Sequence, residues 1–532
     1  MILAISRAEC FSPNSVAKDA AILKCLSDML RRYGFDVETI SENEFTIDTK
    51  ADVYVSMSRS EHAADILRRL RNKGAVVIAP NIDAELLTCR TALENELRRR
   101  GLPLLSGKGF HGYWIKKRHG YTEREDDVVF AANERERRAA VKAMTERLGR
   151  NEVYVSPHIT GDVVKFYGIE GTDFFETYYP GDDGQTKFSH ELHNGKPHHY
   201  VFDKESLRDA LDDLAYDNGV TFYGGDCIVD QNGVPYVVDF NDWPSYSRCR
   251  EEAASAITKA VLRIMANAHH HIPTRKLVRG FIFDYGGTLD TGGDHWGKVL
   301  WHAYQHQGVP INEELFRRAY VHAERTLGNN QIIRPWFTFK QTLSVKLDIE
   351  LQYIEKATAN FNPADWHDSL LEELYDRTIK HTHRSAIVLK DIKETTGNKM
   401  VLVSNFYGNV TTVLNEFGFE GLFDDVIESA TVGIRKPDPR IFTLGVEALG
   451  IKPEETIVVG DSYEKDILPA LKAGCRAVWF MGEGWTDNIP DGGEADEVIT
   501  SISAMRHIAA DEIRTSATVD KLQEWSRQII RK

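Results

Sequence analysis

Cysteine is scarce: Cys10, Cys25, Cys89, Cys227, Cys249 and Cys475 are the six in 532 residues, with no Cys-x-x-Cys and no compact pairing pattern. That excludes a disulfide scaffold and a thiolate zinc site, and it points to a reducing, cytoplasmic setting. No apolar run approaches the ~20 residues needed to span a bilayer, so no membrane partner is expected. The opening MILAISRAECF offers only a short apolar stretch before Arg7 and Glu9, which reads as a buried strand and not as a signal peptide. A basic excess is also missing. The 65 Lys+Arg face 80 Asp+Glu, a net charge of −15, which argues against nucleic acid as a partner. There is no internal repeat and no long low-complexity tract. What is present is 42% hydrophobic and 27% charged residues, the composition of packed globular domains. The length implies roughly three or four folding units. Small molecules are the expected partners, and composition leaves the oligomeric state open.

The patterning is that of an α/β multidomain chain. Short β-type runs at Ile2–Ile5, Val37–Ile40, Val53–Val55 and Val76–Ile78 alternate with amphipathic stretches at Val16–Tyr33 and Glu61–Asn72. Alternation at this pitch predicts βαβ units and a parallel sheet over residues 1–105. Residues 106–268 show longer polar–apolar alternation, which predicts an α+β domain with antiparallel strands. The His-Pro stretch at 269–276 reads as a linker, its three adjacent histidines being solvated rather than metal ligands. Beyond it, Phe281–Asp284, Met400–Ser404, Thr456–Gly460 and Ala477–Phe480 are apolar runs suited to a sheet buried on both faces. They predict a core formed by 277–295 and 385–510, interrupted by a helical insertion at 296–384 and followed by a helical tail at 511–532.

Four segments of the second half carry matching chemistry. Phe281-Ile282-Phe283-Asp284-Tyr285-Gly286-Gly287-Thr288 places a carboxylate where a buried strand meets a glycine loop, the end of an α/β sheet at which ligands collect. Met400–Asn405 ends in the Ser404 hydroxyl and the Asn405 amide. Gly433–Pro439 supplies Lys436, and Val458–Asp466 supplies Asp461 and Asp466. In this order, with helices between the first two, the set resembles the haloacid dehalogenase superfamily in its branch with a helical cap. The resemblance covers about residues 276–508 and implies a Rossmann-like core. It implies Asp284 as nucleophile toward phosphorus, with Thr288 and Ser404 on the phosphoryl oxygens and Asn405 near the substrate. Lys436 would offset charge, and Asp461 and Asp466 would hold Mg²⁺ beside Asp284. One position departs from the pattern. The family's phosphatases carry a second aspartate, as general acid and base, two residues after the nucleophile, and here that residue is Gly286. General acid–base catalysis is typically worth roughly 10²–10⁴-fold. Three readings stand open: a substrate with a good leaving group, another acid drawn from Asp290, Asp294 or His295, or binding without turnover.

In the first half, Tyr223–Pro244 reads as a β-hairpin turning at Asp230-Gln231-Asn232-Gly233. Asp239 and Asn241 share one face of its second strand, and Asp226 on the first strand can approach them. Two carboxylates and an amide oxygen suit Mg²⁺, and a solvated hairpin face is the plainer alternative. The spacing also resembles the metal-binding end of the ATP-grasp superfamily, with Asp239-Phe240-Asn241 in place of its Glu-x-Asn. Gly112–Lys117 looks like that family's nucleotide-binding strand and Val153–Gly168 like its hinge strand and the one after. The βαβ region at 1–105 fits the domain that precedes it. The resemblance spans about 1–265 and implies ATP as cosubstrate, with Lys116 or its neighbour Lys117, and Lys165, on phosphates. A glycine-rich phosphate lid after Lys116 is missing. Arg248 and Arg250 are candidates for an acidic substrate group. His190, His193, His198 and His199 lack metal-ligand spacing.

Together these imply a bifunctional enzyme: an Mg-ATP-dependent carboxylate–amine ligase joined to a phosphatase-like hydrolase of a small phosphorylated metabolite. The alternatives are an ATP-dependent small-molecule kinase paired with a phosphatase, and a catalytically degenerate ligand-binding protein.

Overall fold

The computed structural model describes residues 1–11, 15–79, 83–105, 111–120, 124–182, 193–268, 278–486 and 493–509. The expected linker and C-terminal helical tail, and His190, lie outside them. The chain forms two compact units, Met1–Met265 and Ala266–Lys532.

The first unit opens with β1 (Ile2–Ser6), α1 (Val16–Arg32), β2 (Val37–Ser41), β3 (Val53–Ser56), α2 (Glu61–Asn72) and β4 (Val76–Ile78), close to the ranges the periodicity predicts. The four strands run parallel in the order β2-β1-β3-β4. β1 and β3 are central and consist almost wholly of buried apolar residues, as strands covered on both faces must. After α3 (Arg90–Arg99) the pattern changes to antiparallel pairing. β5 (Tyr113–Lys117), β6 (Val128–Ala131) and, beyond α4 (Glu134–Leu148), β7 (Val153–Pro157) form one sheet in the order β6-β5-β7. β8 (Asp162–Ile169), β9 (Phe175–Tyr178), β10 (Phe222–Val229) and β11 (Pro235–Asp242) form another, ordered β11-β10-β8-β9, with α5 (Lys204–Asp217) between β9 and β10. The hairpin turns at the expected Asp230–Gly233, where Asp230 Oδ1 accepts from the amides of Asn232 and Val234. α6 (Arg250–Ala268) packs Ala253, Ile257 and Val261 into a core shared with Ile2, Val55, Phe222 and Trp243.

The second unit centres on six parallel strands: β12 (Gly280–Phe283), β13 (Lys399–Ser404), β14 (Asp425–Glu428), β15 (Thr456–Gly460), β16 (Arg476–Phe480) and β17 (Glu497–Ile499). Their order is β14-β13-β12-β15-β16-β17. β12 lies between β13 and β15, so the three motif-bearing strands are neighbours and their carboxyl ends open on one edge. Between β12 and β13 run four helices: α7 (Trp296–Gln307), α8 (Glu313–Asn329), α9 (Phe339–Ala357) and α10 (His367–Thr396). The boundary drawn at residue 384 falls inside α10. No Gly or Pro interrupts that helix before Gly397, which ends it in the left-handed region at φ 67°. Its early residues Leu370 and Leu374 and its late residues Val388, Leu389 and Ile392 are buried in the same apolar cluster as the strands. One helix thus belongs to both cap and core. Among the described residues, no helix is long and apolar enough to cross a membrane.

Candidate functional site

The second unit's site is built at the end of β12. The Asp284 amide donates to Val459 O at 3.0 Å, so the β12–β15 ladder extends to the residue that carries the carboxylate. The chain then turns sharply. Gly287 has φ +99°, and a Cβ there would sit 2.5 Å from the Asp461 carboxylate, so glycine is required both for the turn and for the close approach. Thr288 follows, fully buried. Its hydroxyl lies 3.1 Å from Asp461 Oδ1 and 3.4 Å from Asp284 Oδ2, and it accepts from the Asp461 amide at 3.0 Å. The Thr288 hydroxyl, expected on a phosphoryl oxygen, here stands between these two carboxylates. A hydroxyl has one proton to donate, and here it holds two carboxylates in place behind the cavity wall.

Lys436 Nζ is 2.6 Å from Asp284 Oδ1 and 2.6 Å from Asp466 Oδ1. Burial opposes its charge, but the two carboxylates outweigh burial and hold the ammonium above its ordinary range. The Asn405 amide exchanges hydrogen bonds with the Lys436 backbone, Nδ2 to O at 3.1 Å and N to Oδ1 at 3.0 Å. Asn405 therefore fixes the lysine loop, and it also lines the cavity, where a substrate contact was expected. Asp466 is oriented by the Ser462 amide at 3.0 Å. Asp284, Asp461 and Asp466 each offer an oxygen within 4.8 Å of the others. One buried lysine cannot balance three carboxylates. Burial, then Asp466 and Asp284, lift Asp461 well above the usual carboxylate range, and Asp466 is raised as well. A surplus of hard anionic oxygen at this spacing fits a divalent cation.

These groups open on a cavity of about 160 Å³ whose floor includes Asp284, Gly286, Ser404, Lys436 and Asp461. The insertion helices roof it with Trp296, Tyr320, Glu324, Phe339 and Lys346. Lys346 Nζ lies 2.5 Å from Glu324 and 4.6 Å from the Tyr320 ring centroid, and Tyr407 Oη reaches both Glu324 oxygens at 3.2 Å. The sequence reading missed this roof. Its one signal was charge at core positions of α9: Lys346 and Glu350 fall on the same face as Leu343 and Leu347 and are buried with them. Arg435 and Lys465 also line the cavity, and they stand beside motif residues already singled out. Of the three alternative acids, Asp294 is excluded: it pairs with Arg377 at 2.9 Å and accepts from the Glu483 amide, away from the cavity lining.

The family model of a haloacid dehalogenase-like hydrolase matches residues 278–474. The second unit carries a haloacid dehalogenase-like hydrolase domain. A stretch of 57 residues is 51% identical to the phosphoserine phosphatase of Thermus thermophilus, covering 11% of this chain and 23% of that protein. Another of 98 residues is 35% identical to the glyceraldehyde 3-phosphate phosphatase of Methanothermobacter thermautotrophicus, covering 18% and 43%. The chain thus spans less than half the length of these curated relatives. Among solved structures, a dehalogenase with an intermediate complex is similar at 18% identity and a TM-score of 0.31, over 44% of this chain and 97% of that one. The D-alanine–D-alanine ligase of Bacillus anthracis is similar at 13% and 0.35, over 49% and 97%. Likenesses at these scores carry no weight for either unit's chemistry.

In the first unit the strand register assembles a row of side chains. Asp226 pairs across β10 with Asp239 on one side and Lys165 on the other, and Lys165 pairs with Tyr178 of β9. Directly opposed residues present their side chains on one face, so Tyr178, Lys165, Asp226 and Asp239 lie in line across four strands. Lys165 Nζ is 2.8 Å from Asp226, and Asn241 donates to Asp239 at 2.9 Å. Arg90 Nη1 stands 3.8 Å from Asp239, and Arg248 lies 4.2 Å over the Tyr178 ring. Arg90 and Tyr178 had no signal in the sequence: register aligns Tyr178 with the row, and the start of α3 brings Arg90 to Asp239. Lys116 is buried. Burial and then Arg90 push its ammonium down to about 7, against the pull of Asp239 and Asp226. Strand alternation turns Lys117 to the opposite face, so Lys116 is the lysine that senses this row. Arg250 begins α6, and its Nε is buried without a hydrogen-bond partner among the described residues. His193 packs on Phe130 at 4.3 Å, His198 pairs with Asp162 and His199 with Asp182, three separate settings.

In the hydrolase domain the shared lysine gives a direct prediction. Lys436→Ala leaves buried carboxylates uncompensated, a change that typically costs about 3–5 kcal/mol. Hydrogen exchange of the β12 and β15 amides in chelator should register that loss, and added Mg²⁺ should recover more protection in the variant than in the wild type. Equal protection in both proteins would contradict it.

Proposed function

We propose that the second unit is an Mg²⁺-dependent phosphohydrolase acting on a small phosphorylated metabolite. The observation that carries this reading is the Lys436 ammonium held 2.6 Å from both Asp284 and Asp466, with Asp461 completing the acidic cluster. Asp284 attacks phosphorus and forms an aspartyl-phosphate, which water then cleaves. Lys436 offsets charge on the nucleophile and the transferred group, and Ser404 at the end of β13 faces the same cavity as a donor to a phosphoryl oxygen. Asp284, Asp461 and Asp466 would hold Mg²⁺, which supplies positive charge to the phosphoryl oxygens when bound. Support also comes from the matching stretches in two phosphatases, which are named for a phosphoserine and a glyceraldehyde 3-phosphate substrate.

For the first unit the proposed activity is ATP-dependent carboxylate–amine ligation. Mg²⁺ with the ATP phosphates would sit at Asp226, Asp239 and Asn241, and Lys116 and Lys165 would contact the phosphates. Arg248, held over Tyr178 at the end of the row, would anchor an acidic substrate. The substrate carboxylate would take the γ-phosphoryl group, and an amine would displace it. The in-register row supports this reading together with the motif resemblance. The test is ADP release from pooled carboxylates and amines. Release should require both substrates and fall at least ~100-fold in Asp239→Ala and Asn241→Ala. Release that needs no amine, or that survives both substitutions, overturns the ligase assignment. The sign of the pH effect follows from Lys116, whose free ammonium titrates near 7. Below that pH an anion meets a charged lysine, and above it binding must take up a proton. ATP affinity should therefore weaken toward tenfold per unit above pH 7, and Lys116→Met should flatten the profile.

A further inference from the structure

Gly286 leaves the hydrolase domain without the expected acid, and the space beside it is open: a Cβ there would meet nothing within 4 Å. A proton for the leaving oxygen must come from elsewhere on the cavity wall. Among the described residues, the carboxylates that line the cavity are Asp284, Asp290, Glu324, Asp461 and Asp466. Asp284, Asp461 and Asp466 are committed to nucleophile and cation. Glu324 is neutralised by Lys346 and receives the Tyr407 hydroxyl. His295 accepts the Gly297 amide on Nδ1 at 3.0 Å, and burial with Lys465 and Lys346 holds it down to about 4, so at neutral pH it is uncharged and a weak acid.

We propose that Asp290 is the general acid and base of the hydrolase domain, in place of the carboxylate missing at Gly286. The proposal rests on the phosphohydrolase reading with Asp284 as nucleophile. Two donors aim the side chain: the Gly287 amide reaches Oδ1 at 2.7 Å and the Trp296 indole reaches Oδ2 at 2.9 Å. Gly287 belongs to the nucleophile's own loop. Trp296 opens α7 and itself lines the cavity, so the acid is anchored jointly by core and cap. Each carboxyl oxygen keeps a second site, one for the proton and one for an approaching donor. Burial holds the group up at about 7, and the charge of Asp284 adds to the lift against those two hydrogen bonds, so a proton is available near neutrality.

The step balances. As Asp284 attacks phosphorus, the phosphorus–oxygen bond to the alkyl group breaks and the leaving oxygen takes the Asp290 proton. The products are an alcohol, an aspartyl-phosphate and a carboxylate at 290. Water then attacks phosphorus, gives its proton to Asp290, and releases phosphate and free Asp284. Net, one phosphate ester and one water give one alcohol and one phosphate.

The test compares kcat/KM for p-nitrophenyl phosphate, whose leaving group needs little protonation, with that for β-glycerophosphate, whose leaving group needs a proton. Asp290→Asn should raise the aryl-to-alkyl ratio by 100-fold or more, within the roughly 10²–10⁴-fold worth of an acid. Asp290→Asn combined with Gly286→Asp should return the ratio toward that of the wild type. An unchanged ratio in Asp290→Asn, whether both rates fall or neither does, overturns the proposal. So does a 100-fold gain in alkyl ester turnover by Gly286→Asp alone, which would mean that no acid was in place and which does not depend on the folding of Asp290→Asn. A wild-type protein inert toward both esters would overturn the phosphohydrolase reading itself.

Discussion

A single ammonium group, Lys436 Nζ, lies 2.6 Å from Asp284 and 2.6 Å from Asp466, and the second unit's site is arranged around that contact. Without it, three carboxylates within 4.8 Å of one another would repel one another with no positive charge between them. The neighbouring architecture keeps the contact in place. The β12–β15 ladder carries Asp284, the Asn405 amide clamps the lysine's backbone, and the Ser462 amide orients Asp466. Gly287 lets Asp461 approach where any side chain would collide with it. The fold thus concentrates charge, and one cation with room for a second makes that concentration bearable.

The two units set opposite charges against one another by the same means. In the first, Lys165 meets Asp226, Arg90 stands beside Asp239, and Asn241 supplies a neutral donor. There, too, a lysine sits between acids, but burial and Arg90 weigh against Lys116 and lower it, whereas at Lys436 the carboxylates prevail. The difference lies in distance. Lys436 is in direct contact with its acids, and Lys116 feels its own only through space.

Much of this was legible in the sequence because it follows from period and strand ends. Buried strand segments such as Phe281–Phe283 and Ile457–Val459 are continuous apolar runs, and a carboxylate or lysine just past such a run is placed at the ligand edge of a parallel sheet. The hairpin with Asp239 and Asn241 followed from alternation. What was not legible depends on register or on distant segments. No local pattern says that Arg90 and Tyr178 join the Asp226 row, or that Glu324 and Lys346 from two cap helices roof the cavity. Motif position put Thr288 on the phosphate and Asn405 near the substrate, but it gave no sign that Thr288 also bonds to Asp461 or that Asn405, on the cavity wall, also clamps the Lys436 backbone. α10 ran past its expected end because a boundary between cap and core need not interrupt a helix that packs against both.

The proposed hydrolase chemistry depends on Asp284 as the group that takes phosphorus. It is tested most directly by quenching a single turnover of p-nitrophenyl phosphate in acid, reducing the trapped acyl-phosphate with borohydride, and locating the change by peptide mass spectrometry. Aspartate converted to homoserine at position 284, and dependent on Mg²⁺, is the predicted result. Phosphate release with Asp284 unmodified at every time point would contradict it.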